Sequence, residues 1–164
     1  MFLMETKLVQ GKGRDIWHRC GFTDGWEVPR VGLSRGLLLA WMPRQSVSII
    51  FESTHLIHIN FLDNKGLPTS ITFVYGHPKL ARRAKVWHQL LAFKTKAHPQ
   101  WICIGDFNQI LTREEKFSFT QGSIACANLL QQVISEPNLC SLSASGQRYT
   151  WMNNRDDTDL LWKD

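Results

Sequence analysis

The sequence lacks any apolar run long enough to span a membrane, since none reaches the ~18 residues that such a helix needs. A signal peptide is not expected either, because Glu5 and Lys7 interrupt the short apolar start. Cysteines are few, with four in 164 residues, and they form no CxxC motif and no Cys–His spacing typical of a zinc site. We therefore predict a protein of a reducing, intracellular compartment, neither secreted nor bound to membranes.

Internal repeats and low-complexity linkers are also missing, and the length suits one domain, which we place at 1–164. Hydrophobic residues make up 43% and charged residues 20% of the chain, as in ordinary soluble globular proteins. The net charge is +5 and the isoelectric point is about 9.2. This excess of positive charge mildly favours a polyanionic partner, although a basic surface without specific meaning fits equally well.

Apolar runs bounded by turn residues predict a mixed α+β fold in which strands dominate and several strands form hairpins. We predict strands at 1–4, 36–42, 46–51, 55–62, 69–75, 101–104, 148–152 and 160–162, and helices at 14–20, 79–96 and 123–135. In the helix at 79–96, an apolar stripe is expected along one face, formed by Leu80, Ala84, Trp87 and Leu91. The basic residues 82, 83 and 85 lie largely off this stripe, where a solvated face is the commoner role.

An acid and an amide follow the strand 101–104, with Gly105 before them. Alternation along an extended backbone places Asp106 and Asn108 on the same side. A carboxylate there can orient and activate a water molecule, and the amide can donate to charge that develops on a phosphoryl oxygen. From the spacing alone, an acid at a strand end is more often a simple turn former.

Two further polar residues follow apolar strands, Glu5 after 1–4 and Tyr75 at the end of 69–75. The ends of several strands can gather on one rim of a layered fold, where loops carry function. Glu5 could hold Mg²⁺, which prefers one or two carboxylates plus water and phosphate oxygens. Tyr75 could donate a hydrogen bond to a phosphate, whose charge the metal would neutralise.

The ordered set Glu-Thr-Lys at 5–7, Tyr75 and Gly-Asp-Phe-Asn at 105–108 resembles the endonuclease/exonuclease/phosphatase superfamily. Neighbouring segments look like the endonuclease domain of plant LINE-type (non-LTR) retrotransposons. They are Gly-Leu-Ser-Arg-Gly at 32–36, Tyr-Gly-His-Pro at 75–78, 105–111 with Glu-Glu-Lys at 114–116, and Tyr-Thr-Trp at 149–151 with Asn-Asn-Arg at 153–155. Each motif is weak by itself, whereas their order and spacing together are specific and span nearly the whole chain.

The resemblance implies a four-layered α/β sandwich and Mg²⁺-dependent hydrolysis of phosphodiester bonds in DNA. Enzymes of this kind nick target DNA and leave a 3′-hydroxyl that primes reverse transcription, so a nuclear or cytoplasmic location is expected. Glu5 would be the metal ligand and Tyr75 a contact on the phosphate side. Asp106 would orient or deprotonate the attacking water, and Asn108 would stabilise the transition state.

Several elements of the family pattern are not matched: an asparagine on an earlier strand, an aspartate in an Arg-Leu-Asp segment, and an Asp-His pair. Asp164 is not equated with that aspartate, and none of the histidines occupies the position of the family's histidine: His18, His55, His58, His77, His88 and His98. We therefore expect a domain truncated at both ends, with weak or no nicking activity. The alternatives are a related phosphatase or phosphodiesterase and a non-catalytic remnant that binds nucleic acid weakly.

Other histidines and acids have structural interpretations beside functional ones. His55 and His58 have an odd separation, which points them to opposite faces of a strand and disfavours joint metal binding. His77 could reach a phosphate or could serve the turn before Pro78. Residues 114 and 115 are candidate metal ligands, but a solvated loop is the commoner role of such a pair.

Overall fold

The computed structural model of the protein describes residues 1–32, 35–112, 115–118, 127–142, 145–146, 151–152 and 161–163. The chain forms two structural units, one made of Met1–Tyr75 with Thr95–Asp106 and the other of Gly76–Lys94 with Phe107–Asp164. The single domain expected over 1–164 stays a prediction. Within the described ranges, no helix is both long enough and apolar enough to span a membrane.

The described part of the first unit contains two sheets and one helix. Its elements are β1 (Phe2–Met4), α1 (Gly13–Arg19), β2 (Asp24–Val28), β3 (Leu37–Trp41), β4 (Ser48–Glu52), β5 (Leu56–Leu62), β6 (Pro68–Tyr75) and β7 (Gln100–Asp106). One sheet has the order β1-β3-β2 and is antiparallel, and the other has the order β4-β5-β6-β7. Within the second sheet, β7 runs parallel to β6 while the other pairs are antiparallel.

The core of this unit lies between the two sheets. Alternate residues of β3 and β5 face inward, and they pack with the last residue of β6. The buried members of the cluster are Val28, Leu37, Leu39, Ile57, Ile59 and Tyr75. Burying a side chain such as Leu39 or Ile57 stabilises the fold by about 1.5–3 kcal/mol. Because Tyr75 belongs to this core, the position of its backbone is fixed by packing on both sheets.

Among its described residues, the second unit contains two helices and a short antiparallel sheet. The helices are α2 (Leu80–Leu91), which continues into a 3₁₀ turn at Ala92–Thr95, and α3 (Ala127–Ser135). The strands β8 (Lys116–Ser118), β9 (Trp151–Met152) and β10 (Leu161–Lys163) form a sheet with the order β8-β10-β9. The two helices pack together, and each buries an apolar face: Val86, Trp87 and Leu90 on α2, and Ala127, Leu130 and Val133 on α3.

The mixed α+β class predicted from the sequence is confirmed, and most predicted elements are present with bounds shifted by a few residues. Two short strands were not predicted. Strand β2 has the sequence Asp-Gly-Trp-Glu-Val, which opens with a turn signal and carries two acids, so its propensity is low. Strand β8 falls partly in the segment expected to be a loop. The N-terminal residues of the third predicted helix, 123–126, lie outside the described residues.

The predicted face of α2 is partly wrong. Leu80 is 42% exposed, and the buried side chains are Val86, Trp87 and Leu90. Leu80 is the first residue of α2, whereas the buried side chains lie in the second and third turns of the helix. Arg83, expected on a solvated face, is half-buried and forms several hydrogen bonds.

Candidate active site

Two residues of the candidate site end neighbouring parallel strands. Tyr75 on β6 and Asp106 on β7 are register partners, and each is the last residue of its strand. Parallel strands end at the same edge of a sheet, and paired residues project to the same face. The structure therefore places the phenol and the carboxylate side by side at one edge of the four-stranded sheet.

Glu5 joins this pair from the other sheet. It follows β1 directly, and its carboxylate Oε1 accepts a hydrogen bond from the Tyr75 hydroxyl. The two residues are 70 positions apart in the chain, so the contact depends on the packing of the two sheets. The structure thus brings together three of the four residues selected from the sequence, while their catalytic roles stay predictions.

The environment keeps the Tyr75 hydroxyl protonated. Burial raises the pKa of this group well above its ordinary value, and the hydrogen bond to Glu5 acts in the same direction. The charges of Glu5 and Asp106 raise this pKa further, while the positive charge of Arg35 opposes them. At neutral pH Tyr75 is therefore a neutral hydrogen-bond donor placed between two acids.

His55 fixes the backbone of Tyr75. The imidazole Nδ1 of His55 lies 2.8 Å from the Tyr75 carbonyl oxygen, and the Tyr75 N–H donates to the His55 carbonyl at 2.7 Å. The two rings stack with centroids 6.0 Å apart. The sequence pattern indicates only a strand residue or half of a metal pair at His55, and the pairing of β5 with β6 reveals its contact with Tyr75. His58 instead contacts Thr72 Oγ1 through Nδ1 at 2.7 Å.

Gly105 allows β6 and β7 to approach closely at the site. Its φ angle is +140°, and an added Cβ would lie 2.0 Å from the carbonyl oxygen of Val74. Real Cβ atoms do not approach backbone oxygens so closely, so only glycine fits. The glycine before Asp106 therefore determines how near the carboxylate lies to Tyr75.

Asn108 lies in the second unit, where its side-chain Nδ2 donates to the Gly76 carbonyl at 2.9 Å. Its φ angle is +51°, and β7 ends at Asp106. The extended conformation predicted through Asn108 is therefore wrong, and strand alternation does not determine which way its side chain points. Asparagine tolerates the left-handed conformation better than most residues because its side chain bonds locally.

Arg83 clamps the loop that follows β6. Its guanidinium donates to the carbonyl of His77 at 3.0 Å, to the carbonyl of Pro78 at 3.1 Å and to Gln109 Oε1 at 2.9 Å. The His77 ring is buried, and its Nδ1 accepts the N–H of Lys79 at 2.9 Å. These contacts favour the turn role for His77 over a phosphate contact. The sequence does not predict the whole clamp, because Gln109 comes from a segment 26 residues away.

The remaining sequence candidates are only partly described. Glu115 accepts the Leu111 N–H at 2.9 Å, which supports a structural role in its loop. Residue 114 lies outside the described residues, as do parts of the motifs at 32–36 and 149–155.

Magnesium fits the chemistry of the donor set. Glu5 and Asp106 supply carboxylate oxygens, the hard ligands that Mg²⁺ prefers. In the described part of the chain no group of three or more His, Cys, Asp or Glu side chains is placed to hold a metal ion. Mg²⁺ is typically held by one or two carboxylates, with water and substrate phosphate completing its shell. A magnesium ion at this edge would therefore depend on Glu5 and Asp106 and on the substrate itself.

The fold is similar to that of one solved nuclease domain. The chain is similar to a solved structure described as the endonuclease domain of TRAS1, a telomere-specific non-LTR retrotransposon. The TM-score is 0.60 at 13% sequence identity, and the match covers 85% of this chain and 66% of the other. No protein-family model matches the chain, and no curated protein matches it.

Proposed function

We propose that the chain is a Mg²⁺-dependent, nuclease-type phosphodiesterase that acts on DNA, with weak activity. The observation that carries this proposal is that Glu5, Tyr75 and Asp106 lie together where two parallel strands end. The similarity of the fold to a retrotransposon endonuclease domain supports a nucleic-acid substrate. The positive net charge is consistent with a polyanionic partner.

In the proposed reaction, water attacks phosphorus and the bond from phosphorus to the 3′-oxygen breaks. The products are a 3′-hydroxyl and a 5′-phosphate. The Asp106 carboxylate orients the attacking water and accepts its proton. The Tyr75 hydroxyl, kept protonated by its surroundings, donates either to Glu5 or to a phosphoryl oxygen. When bound at Glu5 and Asp106, Mg²⁺ would neutralise phosphate charge and stabilise the leaving oxygen.

The proposed role of Asn108 rests on the sequence. An amide donor can stabilise negative charge that develops on a phosphoryl oxygen in the transition state. Its Nδ2 group donates to the Gly76 carbonyl in the structure, so the amide is already held in one orientation. The transition-state role is separable from that of Asp106, because Asn108→Ala removes a donor whereas Asp106→Asn removes a base.

The test is the nicking of supercoiled plasmid with the protein in excess, in Mg²⁺ and in EDTA. We expect slow conversion to open circle in Mg²⁺ only, and a rate for Asp106→Asn about 10²–10⁴-fold lower. The matched control is Asp15→Asn, since Asp15 is an exposed acid on α1 that is not among the candidate site residues. This control should nick like the wild-type protein. Nicking by Asp106→Asn at the wild-type rate would contradict the proposal.

The same samples distinguish the two alternatives. A related phosphomonoesterase would release phosphate from p-nitrophenyl phosphate in an Asp106-dependent manner and leave the plasmid intact. A non-catalytic remnant would shift labelled DNA in a binding assay and show no Asp106-dependent turnover of either substrate. Each of these results would replace the proposed endonuclease activity.

A further inference from the structure

Two hydrogen-bonded segments beside the site have left-handed backbone conformations at non-glycine residues. Their φ angles are +53° at Glu5, +55° at Lys7 and +77° at Arg35. The Lys7 N–H donates to the Arg35 carbonyl at 2.8 Å, and the Thr6 N–H donates to the Gly36 carbonyl at 3.1 Å. Residues with long side chains adopt this conformation at a cost, and such strain clusters at functional sites.

Arginine is an unexpected residue at position 35. Glycine adopts a φ angle of +77° without strain, and the next residue is itself glycine, with φ +102°. The backbone contact of Arg35 with Lys7 uses only the carbonyl group, which every residue has. Any advantage of arginine over glycine at this position therefore comes from its side chain.

The guanidinium of Arg35 lies on the side of the site where Tyr75 is anchored. Its Nη1 donates to Thr54 Oγ1 at 3.3 Å, and Thr54 directly precedes His55, which binds the Tyr75 backbone. The charge of Arg35 acts on the Tyr75 hydroxyl against the charges of Glu5 and Asp106. Arg35 is half-buried, so its charge is less screened by water than that of an exposed arginine.

We propose that Arg35 is a phosphate-binding residue of this site and that its guanidinium contacts an anionic phosphoryl oxygen of the substrate beside Tyr75. The inference rests on the proposed function, and it adds a residue that binds substrate. A guanidinium presents several N–H donors in a plane that matches two phosphate oxygens. Two carboxylates at the same edge would repel a phosphate, and a fixed positive charge offsets this repulsion.

Three variants of the full chain test the proposal. Arg35→Gly removes the side chain and the strain, and Arg35→Lys keeps the charge without the planar donors. Arg44→Gly is the matched control, because Arg44 is an exposed arginine in the turn after β3. The first measurement is the Tm in inorganic phosphate relative to chloride at equal ionic strength. The second is the binding of labelled duplex DNA in EDTA over a series of salt concentrations.

We expect inorganic phosphate to raise the Tm of the wild-type protein and of Arg44→Gly, but not that of Arg35→Gly. DNA binding by Arg35→Gly should be about ten- to a hundredfold weaker, with Arg35→Lys intermediate. A plot of the logarithm of the association constant against the logarithm of the salt concentration has a slope that reports phosphate contacts. For this lost contact, that slope should fall by about 0.9 in magnitude. In chloride, the Tm of Arg35→Gly should not fall, because relief of strain offsets the greater chain entropy of glycine.

Two results would overturn the role of Arg35. One is that phosphate raises the Tm of Arg35→Gly as much as that of the wild-type protein, or raises neither. The other is that Arg35→Gly melts well below the wild-type protein in chloride, which would assign Arg35 to the fold. An Arg35-dependent response to phosphate without DNA binding by any variant would support the phosphate site and reject DNA as the substrate. The two proposals therefore fail in distinguishable ways.

Discussion

Gly105→Ala should destabilise the protein strongly, because the backbone around this residue has no room for a methyl group. The added Cβ would lie 2.0 Å from the carbonyl oxygen of Val74 and 2.9 Å from its carbonyl carbon. Val74 is fully buried and is the register partner of Gly105 in the parallel pair. Relief of the contact therefore requires β6 and β7 to separate by about 1.5 Å, since contacts between non-bonded heavy atoms are optimal near ~3.5 Å.

Two terms contribute to the expected loss of stability. Alanine at a φ angle of +140° costs on the order of 1–3 kcal/mol. Weakening two neighbouring ladder hydrogen bonds adds about 1 kcal/mol each. The sum is about 3–5 kcal/mol, a large part of the 5–15 kcal/mol that typically stabilises a domain. Because Asp106 follows directly, the same displacement should also abolish nicking.

Gly66→Ala separates the two terms. Gly66 has a φ angle of +77° in an exposed turn, and nothing lies within 4 Å of its added Cβ. It should therefore show only the conformational cost, about 1 kcal/mol. The measurement is urea unfolding followed by tryptophan fluorescence and by circular dichroism, with the m-values compared. If the two glycine variants lose stability equally, the close approach of β6 and β7 has no energetic importance and the reasoning fails.

Two further predictions concern the same unit. The His58 ring is fully buried, and burial, helped by the charges of His98 and Lys96, lowers its pKa to about 4. Because the unfolded chain takes up this proton near pH 6.5, stability should fall by up to about 3 kcal/mol between pH 6.5 and 4. His58→Gln should flatten that decline in urea midpoints, and an unchanged slope would refute the assignment. On β7, Ile102 and Ile104 are 42% and 54% exposed. Ile104→Thr should raise the solubility limit measured by light scattering and change stability by less than about 0.5 kcal/mol, whereas no change in solubility would show that this patch does not drive association.

The sequence alone predicts those elements whose local pattern agrees with their environment. The long strands β5 and β6 are continuous apolar or β-branched runs separated by the turn at 63–66, and their predicted bounds lie within a residue of those observed. Strand β2 was missed because its residues have little strand propensity, and pairing with β3 forms it instead. The buried face of α2 was partly misassigned because the helical period does not show where a helix begins relative to its core.

The candidate site was predictable as a set of strand ends but not as a set of contacts. The bond between Tyr75 and Glu5 follows from the packing of two sheets, and no local pattern encodes it. The left-handed conformation of Asn108 contradicts the alternation from which its direction was inferred. His55 and Arg35 were missed as site residues because each acts through partners from other segments. These contacts depend on how distant segments of the chain pair and pack, and the periodicity of the sequence does not show this.

The two sides of the site differ in how the fold holds them. Tyr75 and Asp106 end adjacent parallel strands, and Tyr75 is part of the core between the sheets, so packing fixes their positions. Glu5 and Arg35 stand on strained segments that hydrogen bonds hold in place. Strain of this kind persists only where the surrounding structure compensates for it. Substitutions that relax the strained segments at Glu5 and Arg35 should therefore preserve the fold and reduce phosphate binding. Substitutions at the packed strand ends, where Tyr75 and Asp106 lie, should instead reduce stability and activity together.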